Sequence, residues 1–353
     1  MELEVNQTPV RTSKNFNINN IKLENVSFPS KILEFNNLKI LNSDTKVTID
    51  DLTSPIALNY GLGAELTNLV INNSNKKINV NINSKTNKEI QIKFDLDKKN
   101  SALLEDIEIT ANESTKETVI IKYTSDSSTF LFHDGIIRVN AKENSVLNVI
   151  IVNLINEKSS NFLAIQNNID ANAKVNYTIV DFGGKNSITN HYTNMTGDSA
   201  KTTINTIYLG HNSQVFDLNY IAELRGLQND VKIEVQGALA DTAKKHFKGT
   251  IDFKRGCKKS VGDENEACML LSNTAKSLSL PMLLCSEEDV EGNHSSSAGK
   301  IDEKELFYIM TRGFSLKEAM KLLVKAKFNK ILETIPNYEL REKIIKEIDM
   351  RLN

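Results

Sequence analysis

Tryptophan is absent from the 353 residues, and cysteine nearly so: Cys257, Cys268 and Cys285 are the three present. Their number is odd and no two are separated by two residues, so the chain lacks the short-spaced thiol pairs of a self-contained zinc or iron–sulfur site. In a reducing compartment they are free thiols, small side chains that pack or sit partly exposed. No stretch approaches the roughly 20 apolar residues that cross a bilayer. The first residues, Met1-Glu2-Leu3-Glu4-Val5-Asn6, carry no basic region followed by an apolar run. A cytoplasmic chain with no membrane partner is therefore expected. Charge of neither sign is in excess. With 43 basic and 45 acidic residues, nothing attracts polyphosphate over the whole surface, and nucleic acid is not an expected partner.

What the chain does have is a series of short alternating runs. Val175, Tyr177 and Ile179 alternate with Asn176 and Thr178; Phe216, Leu218 and Tyr220 with Asp217 and Asn219; Val231, Ile233 and Val235 with Lys232 and Glu234. Each reads as a strand with one buried face. Similar runs occupy 146–154, 203–209 and 250–253, with weaker ones at 77–82 and 89–94. Segments such as Gly183-Gly184-Lys185-Asn186-Ser187 and Thr196-Gly197-Asp198-Ser199 are turn chemistry. No room remains between strands for regular crossover helices. A chain of this length exceeds what one compact core usually supports. Periodicity alone admits either a sandwich-like stack or a solenoid whose coils cover one another.

From Ile301 the pattern changes to helix. Asp302 with Glu305, and Ser315 with Glu318, have capping-box spacing. Gly313 is tolerant of the positive φ that ends a first helix, and Pro336 ends a second. Leu316, Met320, Leu323, Val324, Phe328 and Ile331 form an apolar stripe, and Leu340, Ile344, Ile345 and Ile348 form another.

The run His246-Phe247-Lys248-Gly249-Thr250-Ile251-Asp252-Phe253-Lys254-Arg255-Gly256 leads through Met269-Leu270-Leu271-Ser272 and Asp289-Val290-Glu291-Gly292-Asn293-His294. It ends in Gly299-Lys300-Ile301-Asp302-Glu303-Lys304-Glu305-Leu306-Phe307-Tyr308-Ile309-Met310-Thr311-Arg312-Gly313. That order resembles the SufB/SufD family, the non-ATPase scaffold subunits of the SUF iron–sulfur cluster assembly machine, and SufD more than SufB. The resemblance is clear over about residues 245–335. It implies a mainly β fold, a right-handed parallel β-helix with a C-terminal helical region. The expected organisation is an N-terminal extension (1–17), a β-helix core (18–300) and a helical region (301–353) that docks the ATPase SufC and supplies a cap for the open stack. Aromatic, Met and Arg residues are enriched at interface centres, and Leu306, Phe307, Tyr308, Met310, Arg312, Phe314, Met320 and Leu323 are the expected docking residues.

The resemblance further implies pairing through the β-helix with a SufB-like subunit or with a second copy. His294 matches the SufD histidine implicated in forming the nascent cluster at that interface. It is the candidate transient metal ligand, with no tightly bound cofactor expected. Departures limit the transfer. SufB has a glutamate after this histidine and a sulfur-handling cysteine before the leucine pair, where this chain has Ser295 and Glu266. Cys268, two residues from Glu266, would face the same side of an extended strand and is the second candidate. Family members commonly carry an N-terminal helical domain, whose role is expected to be absent or reduced here.

Two further function classes compare poorly. A phosphate loop ending in Gly299-Lys300 would need glycine where His294 stands and Ser or Thr where Ile301 stands, so ATP hydrolysis is not expected. A β-solenoid enzyme acting on polysaccharide would use clustered carboxylates, often with aromatic sugar platforms and export; the lack of tryptophan and of a signal segment argues against it. A standalone SufB-like scaffold holding the cluster itself stays open beside the SufD-like reading.

Overall fold

The computed structural model describes residues 2–12, 18–41, 47–51, 57–84, 89–126 and 128–353. Residues 1 and 13–17 of the expected N-terminal extension lie outside the described residues. The chain opens with β1 (Leu3–Val5), β2 (Ile21–Leu23), β3 (Leu38–Leu41), β4 (Val47–Asp50) and α1 (Ala64–Asn73). Sixteen strands follow: β5 (Lys76–Ile82), β6 (Ile90–Leu96), β7 (Ala102–Ala111), β8 (Lys116–Ser125), β9 (Phe132–Ala141), β10 (Val146–Leu154), β11 (Ser160–Ile169), β12 (Lys174–Asp181), β13 (Asn186–Met195), β14 (Lys201–Gly210), β15 (Val215–Leu224), β16 (Asp230–Leu239), β17 (Lys244–Phe253), β18 (Ser260–Leu270), β19 (Lys276–Cys285) and β20 (Val290–Lys300). The tail is α2 (Glu303–Thr311), α3 (Leu316–Leu332) and α4 (Tyr338–Arg351).

Every strand from β5 onward pairs in parallel with the strand two places along, so odd strands build one sheet and even strands a second. Two strands make one coil and eight coils make a parallel β-solenoid. The alternation seen in the sequence is the lumen pattern: Val175, Tyr177, Ile179, Phe216, Leu218, Tyr220, Val231, Ile233 and Val235 all lie in one continuous buried cluster. In-register parallel pairing also stacks like upon like. Asn176 Nδ2 donates to Asn148 Oδ1 (2.9 Å) and Asn148 Nδ2 to Thr118 Oγ1 (3.2 Å). Asn148 and Asn176 are therefore rungs of a ladder along the coils, as are Asn140, Asn168 and Asn194. One corner of successive coils carries a residue at positive φ, among them Ser114, Asn144, Asn172, Ser199, Gln228 and Lys259. Asn suits such corners because its side chain tolerates the left-handed region.

The two ends of the stack differ. At the first, β3 and β4 pair antiparallel with β6 and β5 and close the ladders. At the second, β19 and β20 are edge strands, and every residue from Glu291 to Lys300 is exposed. The parallel coils begin at Lys76 rather than at residue 18. The preceding segment instead supplies the β1–β2 hairpin and α1, whose Leu3, Val5, Ile21, Leu23, Leu66 and Val70 cover Leu104, Phe132, Phe162 and Ile188 on the outside of the odd sheet.

The helical tail does not cap the open end as expected. Val324, Phe328, Ile331 and Leu332 of α3 and Leu340, Ile344 and Ile348 of α4 pack sideways on Ile120, Ile150, Val152, Val180, Phe182 and Ile207 of the even sheet. The reason lies in the strands: this outer face is apolar over several coils, and burying each large side chain there contributes roughly 1.5–3 kcal/mol. The open end offers no comparable surface. The caps form where expected, with one difference. Ser315 and Glu318 make a full capping box, whereas the Asp302 side chain accepts from the amide of Lys304, and Glu305 takes no part. Gly313 has φ 98°.

Candidate functional site

The lumen of the last coils holds a cluster of charged side chains, just as Glu105, His133 and Asp181 stand buried in earlier coils. On β18 the inward residues are Gly262, Glu264, Glu266 and Cys268, and Glu264, Glu266 and Cys268 stand one coil below His294, Ser296 and Ala298 of β20. From the opposite sheet Lys245 points inward, wholly buried. Its ammonium meets Glu266 Oε1 at 2.7 Å and Ser279 Oγ at 2.9 Å. Glu266 also accepts from Tyr208 Oη (3.2 Å), Ser279 Oγ (2.9 Å) and Ser296 Oγ (2.9 Å). A buried ion pair is tolerable when its remaining hydrogen-bonding capacity is filled in this way. Gly237 makes the arrangement possible, because a Cβ there would lie 1.8 Å from the Tyr208 ring that crosses it.

Glu264 is the opposite case. It is wholly buried, and neither carboxylate oxygen has a hydrogen-bond partner among the described residues. It occupies the space left by Gly249, where a Cβ would fall 2.0 Å from Glu264 Oε2. Loss of solvent, and then the charge of Glu266, push its carboxyl up to about 8. The acid is therefore mostly neutral at pH 7.

His294 lies on the open edge strand, exposed and in register with Glu264. Cys268 faces the lumen like Glu266, as its spacing requires, and is 4 % exposed. Burial raises its thiol, against the lowering influence of the neighbouring Tyr208 hydroxyl and of the Lys245 charge. The structure does not bring the two candidates together. Cys268 is in register with Ala298, four residues beyond His294, or about 13 Å along the strand. Cys257 is buried and Cys285 exposed, its Sγ 2.9 Å from the Glu287 carbonyl. Among the described residues no group of three or more His, Cys, Asp or Glu side chains could hold a metal ion. Lys245, Glu264 and Tyr208 had a signal in the sequence: charged or hydroxylated residues at the inward positions of alternating strands.

The α2–α3 turn carries the other candidate surface. Phe307 is 70 % exposed and Tyr308 60 %, with Met310 and Phe314 also exposed. Arg312 lies over the Tyr308 ring at 5.0 Å and donates to its hydroxyl at 2.8 Å. Leu306, Met320 and Leu323 are half-buried, while Leu316 and Leu322, not among the expected residues, are exposed. No residue of α2 is buried. No described helix is long and apolar enough to cross a membrane.

A parallel β-solenoid with an open polar lumen end and a lateral helical tail defines the architectural class. A family profile described as SUF system FeS cluster assembly, SufBD core domain, matches residues 94–327, about two thirds of the chain. The chain belongs to this SufBD family. It is 23% identical over 180 residues to the iron-sulfur cluster assembly protein SufD of Bacillus subtilis, covering 51% of this chain and 41% of that one. An iron-sulfur cluster assembly SufBD family protein of Pyrococcus horikoshii is 30% identical over 169 residues (48% and 37%), and SufD of Escherichia coli 22% over 164 (46% and 38%). The matched stretch spans about two fifths of each relative's length.

Proposed function

We propose that the chain is a cytoplasmic, non-catalytic scaffold subunit of the SUF system. In this reading the α2–α3 turn binds the SufC ATPase, and the open end pairs with a SufB-like subunit or with a second copy. The nascent iron–sulfur cluster is cargo held transiently at that interface, with His294 as a ligand on this side. One observation carries the reading: the uncapped edge strand bearing His294 runs into α2 through a two-residue link, Ile301-Asp302. An exposed row of unpaired backbone groups seeks a partner strand, and the exposed aromatic residues beside it suit an interface centre. A pull on α2, which is itself unburied, would act directly on β20 and so on the place where iron and sulfide meet, while α3 and α4 stay anchored on the even sheet.

Co-purification of the full chain with SufC tests the docking surface. The double variant Phe307→Asp with Met310→Asp should lose SufC while keeping its thermal unfolding midpoint, because both side chains are exposed; retention of SufC would refute this surface. Anaerobic reconstitution of the chain alone, compared with the chain plus a SufB-like partner, separates the paired scaffold from a standalone one.

A further inference from the structure

Lys39, Lys93 and Lys122 are Cα partners on β3, β6 and β8, so three lysines stand in one row on the outer face of the even sheet. Adjacent strands lie about 4.8 Å apart, and like charges directly opposite one another destabilise a sheet. A fourth lysine, Lys343, comes to the row from α4. Between the start of α4 and the sheet lies a cavity of about 230 Å³, lined by Lys93, Ile120 and Lys122 on one side and Asn337, Leu340 and Lys343 on the other.

The acids nearby are committed elsewhere. Asp95 pairs with Lys93 at 2.7 Å and accepts from Thr124 Oγ1. Glu89 accepts from Gln91 Nε2 (2.6 Å) and from Asn337 Nδ2, and Glu347 accepts from Arg351 Nε (3.4 Å). Glu339 lines the cavity but is exposed and forms no ion pair among the described residues. Lys122 is half-buried, and neither it nor Lys343 has a carboxylate at ion-pair distance among the described residues. Loss of solvent, and then the charges of Lys343 and Lys93, lower the Lys122 ammonium from its ordinary range.

We propose that this cavity binds a small multivalent oxyanion of the phosphate class, held by Lys122 and Lys343, with Lys93 and Lys39 adding charge. Lysine binds phosphate as a point charge. Asn337, the N-cap of α4, lines the cavity, so the positive end of the helix dipole lies at its wall. Sites for drug-sized molecules run to about 300–1,000 Å³, so this smaller one suits one or two phosphate groups rather than a whole nucleotide. The anion would turn a repulsive row into a bridge joining β6, β8 and α4. The site rests on this face alone and is independent of the scaffold reading.

Calorimetric titration of the full chain with pyrophosphate and with orthophosphate, at low and constant ionic strength, tests it. Wild type should bind one ion per chain, pyrophosphate the more tightly, and its thermal unfolding midpoint should rise with added ligand. Lys122→Gln and Lys343→Gln should each bind about tenfold or more weakly. Without ligand both variants should unfold at or above the wild-type midpoint, because each removes a like charge, and this separates lost binding from lost folding. Lys174→Gln, an exposed lysine elsewhere on the even sheet, should bind as wild type does. No saturable binding by wild type, unchanged affinity in Lys122→Gln, equal weakening in Lys174→Gln, or equally effective displacement by chloride overturns the site.

Discussion

Lys245 and Glu266, 21 residues apart in the chain, meet at 2.7 Å inside the solenoid with neither side chain reaching solvent. Their coupling decides how the last coils respond to mutation. Lys245→Met leaves the wholly buried Glu266 carboxyl without its cation, and should cost about 3–5 kcal/mol. Lys245→Met combined with Glu266→Leu should recover most of that loss. Urea unfolding of the four chains in a double-mutant cycle measures both effects. A cost below about 1 kcal/mol for the single variant would mean that water reaches the pair.

The stability of the chain should fall with rising pH because of Glu264. Its folded carboxyl sits near 8, above the ordinary 4.5. The folded state therefore holds a proton that the unfolded chain releases between these values, and stability decreases as pH rises through that window, levelling above about 8. Glu264→Gln should remove this part of the slope. Unfolding midpoints at pH 5.5, 7 and 8.5 check it, and parallel curves for wild type and variant would contradict the buried, unpartnered state.

Phe328 is stacked on Phe182 at 6.3 Å, and both are wholly buried. Phe328→Ala should cost about 3–5 kcal/mol, as large-to-small core changes do, and should loosen α3 from the even sheet. Amide exchange along α3 and α4 reads this directly. Equal protection in wild type and variant would mean that the tail is held by something other than this lateral seam.

Asn6 pins the N-terminal strand to the odd sheet from a left-handed conformation, φ 60°. Its carbonyl accepts from Lys248 Nζ at 2.8 Å, and its side chain donates to Asp217 Oδ1 and accepts from Asn190 Nδ2. Asn6→Ala should cost about 1–3 kcal/mol, since it leaves the buried Asn190 amide without its acceptor and removes a donor from Asp217, which keeps Lys248. Asn6→Gly relieves the backbone but not the lost bonds, so it should fall between wild type and alanine. Thermal unfolding ranks the three, and a glycine variant below the alanine one would contradict this account.

The amino-acid sequence by itself determined eight of the sixteen coil strands with their inward faces, the start of the helical tail and the family, while β7, β8, β9, β11, β13 and β18 to β20 were not read from it. Alternation with period two and the Ser315–Glu318 cap are local properties, readable wherever a side chain must face either core or water. The family followed from the ordered residues between His246 and Gly313, later matched by the profile over 94–327. Tertiary structure alone decided three things. It laid the helices along the side of the solenoid, because several distant strands together make the apolar face that Phe328 needs. It separated His294 from Cys268, because register fixes which residues of neighbouring coils meet. And it brought Lys245 to Glu266 while leaving Glu264 unmatched, because the lumen joins positions from opposite sheets that no spacing along one strand can reveal.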